Sequence, residues 1–415
     1  LFGLLVFSNI FKAFTTYVQL QFIHMREYSL SKRLVENYLH QPYSWFLNRN
    51  SADLGKTILA EVSLIVGSYL KPLINVIAKL MVTFAIIALL VLTDPKLAII
   101  VGFTLGVAYG IIFYCIRRYI SLIGKKRLEN NQLRYLTISE AFGAAKEIKV
   151  GRLEQNYIER FSNPAKIYAK TTASSRVLSQ LPHFFFETIA FGGVMLLILY
   201  LMMQNGSFND ALPVLSLYVF AGIRLMPAIK EIYASFVSFT FVDPSLNKLH
   251  EDIKNLKTFN SNLGQDSISI KKNITLRNIH YNYPNTSRTA LENINLTIPL
   301  NFTVGFIGPT GSGKTTIVDI ILGLLEPQKG SLKIDDKVIS EKNINSWQKS
   351  IGYVPQHIYL SDDTVSSNIA FGIEPQNINQ DVIEKVSKIA NLHEFVIHEL
   401  PEQYQTKIGE RGIRY

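Results

Sequence analysis

Over the first 242 residues the apolar positions gather into long runs, and beyond them apolar and polar residues mix as in a soluble α/β protein. A helix crossing lipid needs about 20 mostly apolar residues, because every backbone amide must find its partner within the helix. Five stretches qualify: residues 1–22, 64–92, 95–116, 184–203 and 212–241. The connection between the first two carries Arg26, Lys32, Arg33, Arg49 and Lys56, and that between the third and fourth is a long basic stretch, 117–176. The alternate connections, 93–94 and 204–210 (QNGSFND), are short and hold no lysine or arginine. Basic loops stay inside, so this alternation puts the two long connections in the cytoplasm and residue 1 outside. The cytoplasmic stretches keep helical composition without a breaker, which predicts helices continuing well past the membrane. Their turns, 41–46 (QPYSWF) and 141–145 (AFGAA), suit either docking on a cytoplasmic partner or plain helix packing.

The second half opens with a polar segment, 243–266, read as a helical exit followed by a linker. Strand-like alternation then covers 267–283 and 290–298. An apolar run at 302–307, read as a further strand, leads into GPTGSGKTT, and a helix-like run follows. This segment, Gly308, Pro309, Thr310, Gly311, Ser312, Gly313, Lys314, Thr315 and Thr316, satisfies the phosphate-loop pattern G-x-x-x-x-G-K-[ST]. Its glycines let backbone N–H groups turn around phosphate oxygens, the following helix adds its positive end, and Lys314 brings a mobile charge. The Thr315 hydroxyl suits magnesium.

Composition adds little against this picture. The net charge of +10 sits beside apolar spans rather than in an aromatic-basic recognition module, which argues against nucleic acid. The single cysteine, Cys115, excludes an intrachain disulfide and reads as a small buried hydrophobe. Residue 1 is not methionine and already lies in an apolar run, so a segment is expected to precede it.

With these motifs in order, the chain resembles the ATP-binding-cassette exporters: an all-α transmembrane domain (1–242), a linker (243–266) and the first part of an α/β P-loop nucleotide-binding domain (267–415). The resemblance implies ATP and Mg²⁺ as cofactors, an ATPase as the full-length protein, and a second half-transporter as partner, in a homodimer. It implies that Tyr283, in YNYP, stacks on adenine, and that Gln356, in YVPQ, touches magnesium and the attacking water. Segments 358–372 and 408–412 (IGERG) resemble further family segments, the second a loop meeting the partner's coupling helices. The family's signature sequence, second acidic motif and switch histidine do not occur before Tyr415, and the family has six spans rather than five. The expectation is a chain truncated at both ends that binds ATP without catalytic residues of its own.

Ionisable groups inside spans usually face a cavity or a partner. Lys12, Lys71, Lys79, His183, Arg224 and Lys230 outnumber Glu187 and Glu231, which favours an anionic cargo. Lys12, His183, Arg224 and Lys230 are the expected translocation-path residues; snorkelling accounts best for Lys71, and Lys230 could pair with Glu231 or Glu187. The segment GIRLMPAIK looks similar to bacterial flippases for lipid-linked oligosaccharide diphosphates, in the inner membrane with the nucleotide-binding domain cytoplasmic. Exporters of lipid A, drugs or peptides, or a non-transporting ATP-gated regulator on the same fold, are the alternatives.

The topology is directly testable. In a Cys115→Ser background, Asn205→Cys reacts with a membrane-impermeant thiol reagent applied from outside, and Lys125→Cys only after the membrane is opened. Labelling of Asn205→Cys solely from the cytoplasm would overturn the arrangement.

Overall fold

The computed structural model describes the chain except residues 1, 94, 204–207, 257–267, 285, 287, 357 and 410–415. The turns at 93–94 and 204–210, much of the linker and the end of 408–412 therefore fall wholly or partly outside the described residues. Two compact units emerge: Leu1–Leu263 with Thr275–Lys333, and Gly264–Ile274 with Ile334–Tyr415.

In the first unit each predicted span lies in a long helix. Helix α1 (Phe2–Leu39) leads through the short α2 (Tyr43–Phe46) into a composite helix. That helix comprises α3 (Ser51–Lys56), a π-helical turn Thr57–Glu61, α4 (Val62–Ile65), a second π-helical turn Val66–Leu70, and α5 (Lys71–Thr93). Then come α6 (Pro95–Gly143), α7 (Ala145–Gly151), α8 (Glu154–Met203) and α9 (Phe208–Lys254). At 1.5 Å per residue the 49 residues of α6 extend about 74 Å, more than twice the hydrocarbon thickness of about 30 Å. The predicted extensions are thus present, and the breaks fall at QPYSWF and at Ala144, whose φ of −106° and ψ of 34° end the helical path. Among the described residues, Ser51–Leu92 and Val219–Lys254 are long and apolar enough to cross a membrane, with mean hydropathies of 2.4 and 1.2.

Large apolar side chains on the bundle's outer faces, among them Phe7, Phe11, Phe14, Phe84 and Tyr114, are exposed. Such faces belong against lipid rather than water. Cys115 is exposed among them, which corrects the expectation of a buried position: an apolar residue on a span can face outward as well as inward. The interior core joins Ile23 and Leu34 of α1, Val62 and Val66 of the composite helix, Ile120 and Ile123 of α6, and Val237, Phe241 and Val242 of α9. Gly124 allows the last contact, since any β-carbon there would strike the Phe241 carbonyl.

Beyond the apolar core the extensions are tied together by charge. Glu61 receives Arg127 Nη1 at 2.7 Å and Asn131 Nδ2 at 2.8 Å, and the same Arg127 nitrogen donates to Ser245 Oγ at 3.0 Å. The Arg127 and Glu61 side chains are only 2% and 4% exposed. A turn earlier the fully buried Lys56 donates to Asp53 at 2.6 Å, with Lys248 of α9 at 3.4 Å. Burial opposes ionisation of Asp53, but the hydrogen bond and charge of Lys56, aided by Lys248, outweigh it and hold the carboxyl below its ordinary range. Burial also pulls the Lys56 ammonium down.

The first unit continues with β1 (Asn273–Asn282), β2 (Thr289–Pro299), α10 (Lys314–Ile321) and β3 (Lys329–Ile334), the strands lying in the order β2-β1-β3. Both predicted strands therefore form, β1 with narrower limits than 267–283. The apolar run 302–307 does not: its backbone is irregular, with Phe302 70% and Ile307 99% exposed. A continuous apolar run reads as a strand covered on both faces, and that state requires ladder neighbours; no described strand pairs with it.

The second unit holds β4 (Lys337–Val338), α11 (Ile344–Gln348), β5 (Asp363–Thr364), α12 (Val365–Ile369), α13 (Gln380–Ile389), α14 (His393–Glu399) and β6 (Lys407–Ile408). Asp335 accepts backbone N–H groups of Lys271, Lys272 and Asn273 at 2.5, 2.6 and 2.9 Å. Val365, Ile383, Val396 and Tyr404 form a small core. The segments 358–372 and 408–412, read separately in the sequence, meet here: β5 and β6 pair antiparallel, Asp363 opposite Ile408.

Removing one partner of the buried pair exposes its role. Glu61→Ala, which strands Arg127, lowers the stability of the detergent-solubilised chain by about 3–5 kcal/mol. Replacing both with apolar residues of similar volume (Glu61→Leu with Arg127→Met) loses far less. Thermal unfolding of the three proteins checks this; equal loss in the single and double variants would refute it.

Candidate functional site

The phosphate loop is built from backbone conformation. Gly311 and Gly313 adopt φ of 82° and 87°, a left-handed region that L side chains rarely enter. Gly313 is also crowded, since a β-carbon there would lie 2.6 Å from Leu291 Cδ2 and 2.9 Å from the Ala290 carbonyl of β2. At Gly308 a β-carbon would approach Ser312 Oγ to 2.8 Å. Gly313 caps α10, which starts at Lys314, so the loop delivers its chain to a helix N-terminus, where free N–H groups favour an anion.

Lys314 folds over this loop. Its Nζ donates to the carbonyls of Gly308 and Pro309, each at 2.8 Å, and to Ser312 Oγ at 3.3 Å. The ammonium is thereby held above the glycine turn without a carboxylate partner among the described residues. Thr315 is exposed and Thr316 buried, so the two hydroxyls divide. Thr316 Oγ1 meets the Tyr283 hydroxyl at 3.1 Å, whereas Thr315 stays exposed. Tyr283 follows the end of β1, half-buried, with its ring edge-on to Tyr281 at 5.1 Å. This bond to the loop was not legible in the sequence, where Tyr283 was read for its ring alone. The cradle and the lysine together fit the phosphates of a nucleotide.

Gln356 belongs to the second unit, in exposed irregular backbone beside Pro355. Within the helices the charged candidates separate. Lys79 pairs with Glu231 at 3.1 Å, and Asn75 donates to the same carboxylate at 2.8 Å, so Glu231 is engaged by Lys79 and not by Lys230. His183 lies 3.5 Å from Glu187 one turn on. Arg224 instead lies over the Phe220 ring, 5.8 Å from its centroid, and lines an otherwise apolar cavity of about 240 Å³ with Ile86 and Ala221. Lys12 is exposed on α1, and Lys230 is half-buried on α9.

The family described as ABC transporter transmembrane region matches residues 1–223, and the family described as ABC transporter matches 291–409. An ATP-dependent lipid A-core flippase of Cupriavidus pinatubonensis is 23% identical over 394 residues, 92% of this chain and 64% of the relative. The multidrug resistance-like ATP-binding protein MdlA of Escherichia coli is 36% identical over 137 residues, 33% of this chain and 23% of the relative. The chain spans less than two thirds of the length of these curated relatives. In fold it is similar to a bacterial Atm1-family ABC exporter with ATP bound: TM-score 0.77, 20% identity, covering 95% of this chain and 68% of that one.

The two left-handed glycines differ in a measurable way. Gly311→Ala has room and suffers only backbone strain, about 1–2 kcal/mol. Gly313→Ala adds the collision with Leu291 and Ala290, and weakens binding of a fluorescent ATP analogue more than Gly311→Ala does. Equal affinities in the two variants would contradict the geometry.

Proposed function

Since the chain belongs to the ABC transporter family through its transmembrane region, residues 1–223, we propose that it serves an ATP-driven exporter that flips an anionic, lipid-linked oligosaccharide diphosphate across the bacterial inner membrane. In this reading residues 1–242 form the membrane domain, 243–266 a linker, and 267–415 contribute to a cytoplasmic nucleotide-binding domain. A second copy completes a homodimer. The loop amides of 308–316 and the Lys314 ammonium hold the ATP phosphates, Tyr283 receives the adenine, and Thr315 holds Mg²⁺, which neutralises phosphate charge. To bind, the terminal phosphates take over the Lys314 ammonium from the Gly308 and Pro309 carbonyls, an exchange that leaves the loop's own backbone in place. ATP drives transport only insofar as it favours one conformation over another.

The cargo reading is carried by Arg224, a cation that borders an apolar cavity with no carboxylate partner among the described residues. Such a group is expensive in lipid unless an anion meets it. Lys12, His183 and Lys230 extend the positive path. A lipid A-type glycolipid is the second reading, favoured by the flippase relatives and likewise anionic.

The full-length protein in proteoliposomes decides between these. Lys314→Ala weakens ATP binding about tenfold or more, as loss of one charge-assisted contact implies. Arg224→Ala leaves ATP binding intact and slows flipping of a diphosphate-linked lipid by a similar factor. Wild-type flipping in Arg224→Ala, and in a variant lacking all four cations, would remove the anionic-cargo reading; faster flipping of lipid A than of the oligosaccharide lipid would favour the second.

A further inference from the structure

Strand β2 begins beside the phosphate loop, and the two segments advance in step. A β-carbon on Gly313 would lie 2.9 Å from the Ala290 carbonyl and 2.6 Å from Leu291 Cδ2. Two residues earlier along each segment, a β-carbon on Gly311 would lie 4.0 Å from Arg288 Nη2. Arg288 immediately precedes β2, so the tight packing of that strand against Gly313 also sets where the guanidinium stands. The other end of the connection from β1 is fixed as well. The Tyr283 hydroxyl meets Thr316 Oγ1 at 3.1 Å, and the Tyr283 carbonyl accepts the Thr286 N–H and hydroxyl at 3.3 and 3.0 Å. Tyr283 and Arg288 therefore both flank the loop, one at each end of a short turn.

Arg288 is exposed and forms no ion pair among the described residues. Lys314 is likewise without a carboxylate there, its Nζ lying on the Gly308 and Pro309 carbonyls and on Ser312 Oγ. Two uncompensated cations thus stand over different parts of one glycine turn, next to the N-terminus of α10. Charges of one sign gathered in this way repel each other and concentrate a counter-ion. A polyphosphate spreads its charge along its length, whereas Lys314 supplies a single compact one. A guanidinium adds a planar fork that can give two parallel N–H bonds to phosphate oxygens.

We infer that Arg288 is a second phosphate-binding cation of the nucleotide site: its fork takes oxygens of the phosphate chain at the Gly311 side of the loop, while Lys314 meets the chain from the side of Gly308 and Pro309. The bare Gly311 leaves that approach open. The inference rests on the reading of 308–316 as a nucleotide site and assigns part of its affinity to a residue outside the phosphate-loop pattern. An arginine between a turn and a strand carries no mark in the sequence of the loop it will stand beside.

The test is equilibrium binding of fluorescent ATP and GTP analogues to the purified full chain in detergent, for wild type, Arg288→Gln, Arg288→Lys and Lys314→Ala. Arg288→Gln weakens binding about fivefold, the upper range for a solvent-exposed charge contact. The factor is the same for both analogues, because the phosphates are common to them. Arg288→Lys keeps the charge without the fork and recovers part of the loss. Added salt lowers wild-type affinity more steeply than that of Arg288→Gln, since the variant has one screened contact fewer. Thermal unfolding of both Arg288 variants matches wild type, as befits an exposed side chain. Wild-type affinity in Arg288→Gln overturns the inference, and so does a loss confined to the ATP analogue, which would put the side chain on the base. An unchanged salt dependence, with no recovery in Arg288→Lys, overturns it too. If Arg288→Gln binds normally while Lys314→Ala does not, only the role of Arg288 falls; if neither variant loses affinity, the nucleotide-site reading falls with it.

Discussion

The first unit's long extensions depend on a polar constraint more than on any single apolar contact: the Arg127–Glu61 pair, taken out of water and closed on all sides. Desolvating two charges is so unfavourable that the ion pair alone is weak support for a fold. What it does enforce is geometry. Glu61 uses both oxygens, Arg127 also reaches Ser245, and the Tyr168 ring of α8 lies 5.5 Å from the guanidinium. Four elements, the first π-helical turn, α6, α8 and α9, must therefore keep one register, because any slip leaves a buried charge unpaired. Apolar residues such as Ile123 and Val242 would tolerate sliding that this cluster does not.

The phosphate loop obeys the opposite logic. There a backbone conformation is imposed by packing, as Leu291 and Ala290 leave Gly313 no room for a side chain. The side chains around it are the adaptable part. Lys314 rests on loop carbonyls it can release, and Thr315 is exposed while Thr316 is held by Tyr283. Rigid main chain with movable charge suits a site that must load and empty repeatedly.

How much of this the sequence disclosed follows from the range of each interaction. The spans and their extensions were legible because helix periodicity and charge placement are local properties, and the glycine loop was legible because its pattern lies within nine consecutive residues. The run 302–307 misled, since an apolar stretch states a need for covering neighbours without supplying them. The pairing of 363–364 with 407–408, the Tyr283–Thr316 bond and the Glu61–Arg127 cluster all join residues far apart along the chain. A lone Glu61 in a basic connection carries no mark of burial.

The same difference explains why counting charges in the spans could not name the pairs that form. Sequence registers a surplus of cations over Glu187 and Glu231, but only packing decides which cations the two carboxylates absorb. The structure gives Glu231 to Lys79 and Glu187 to His183. Lys12, Arg224 and Lys230 are left without carboxylates among the described residues, and Arg224 borders an apolar cavity. Since a cation in or beside lipid is tolerated where water, a headgroup or a cargo supplies the counter-charge, it is the uncompensated positions, rather than the total of basic residues, that carry the proposal of an anionic cargo.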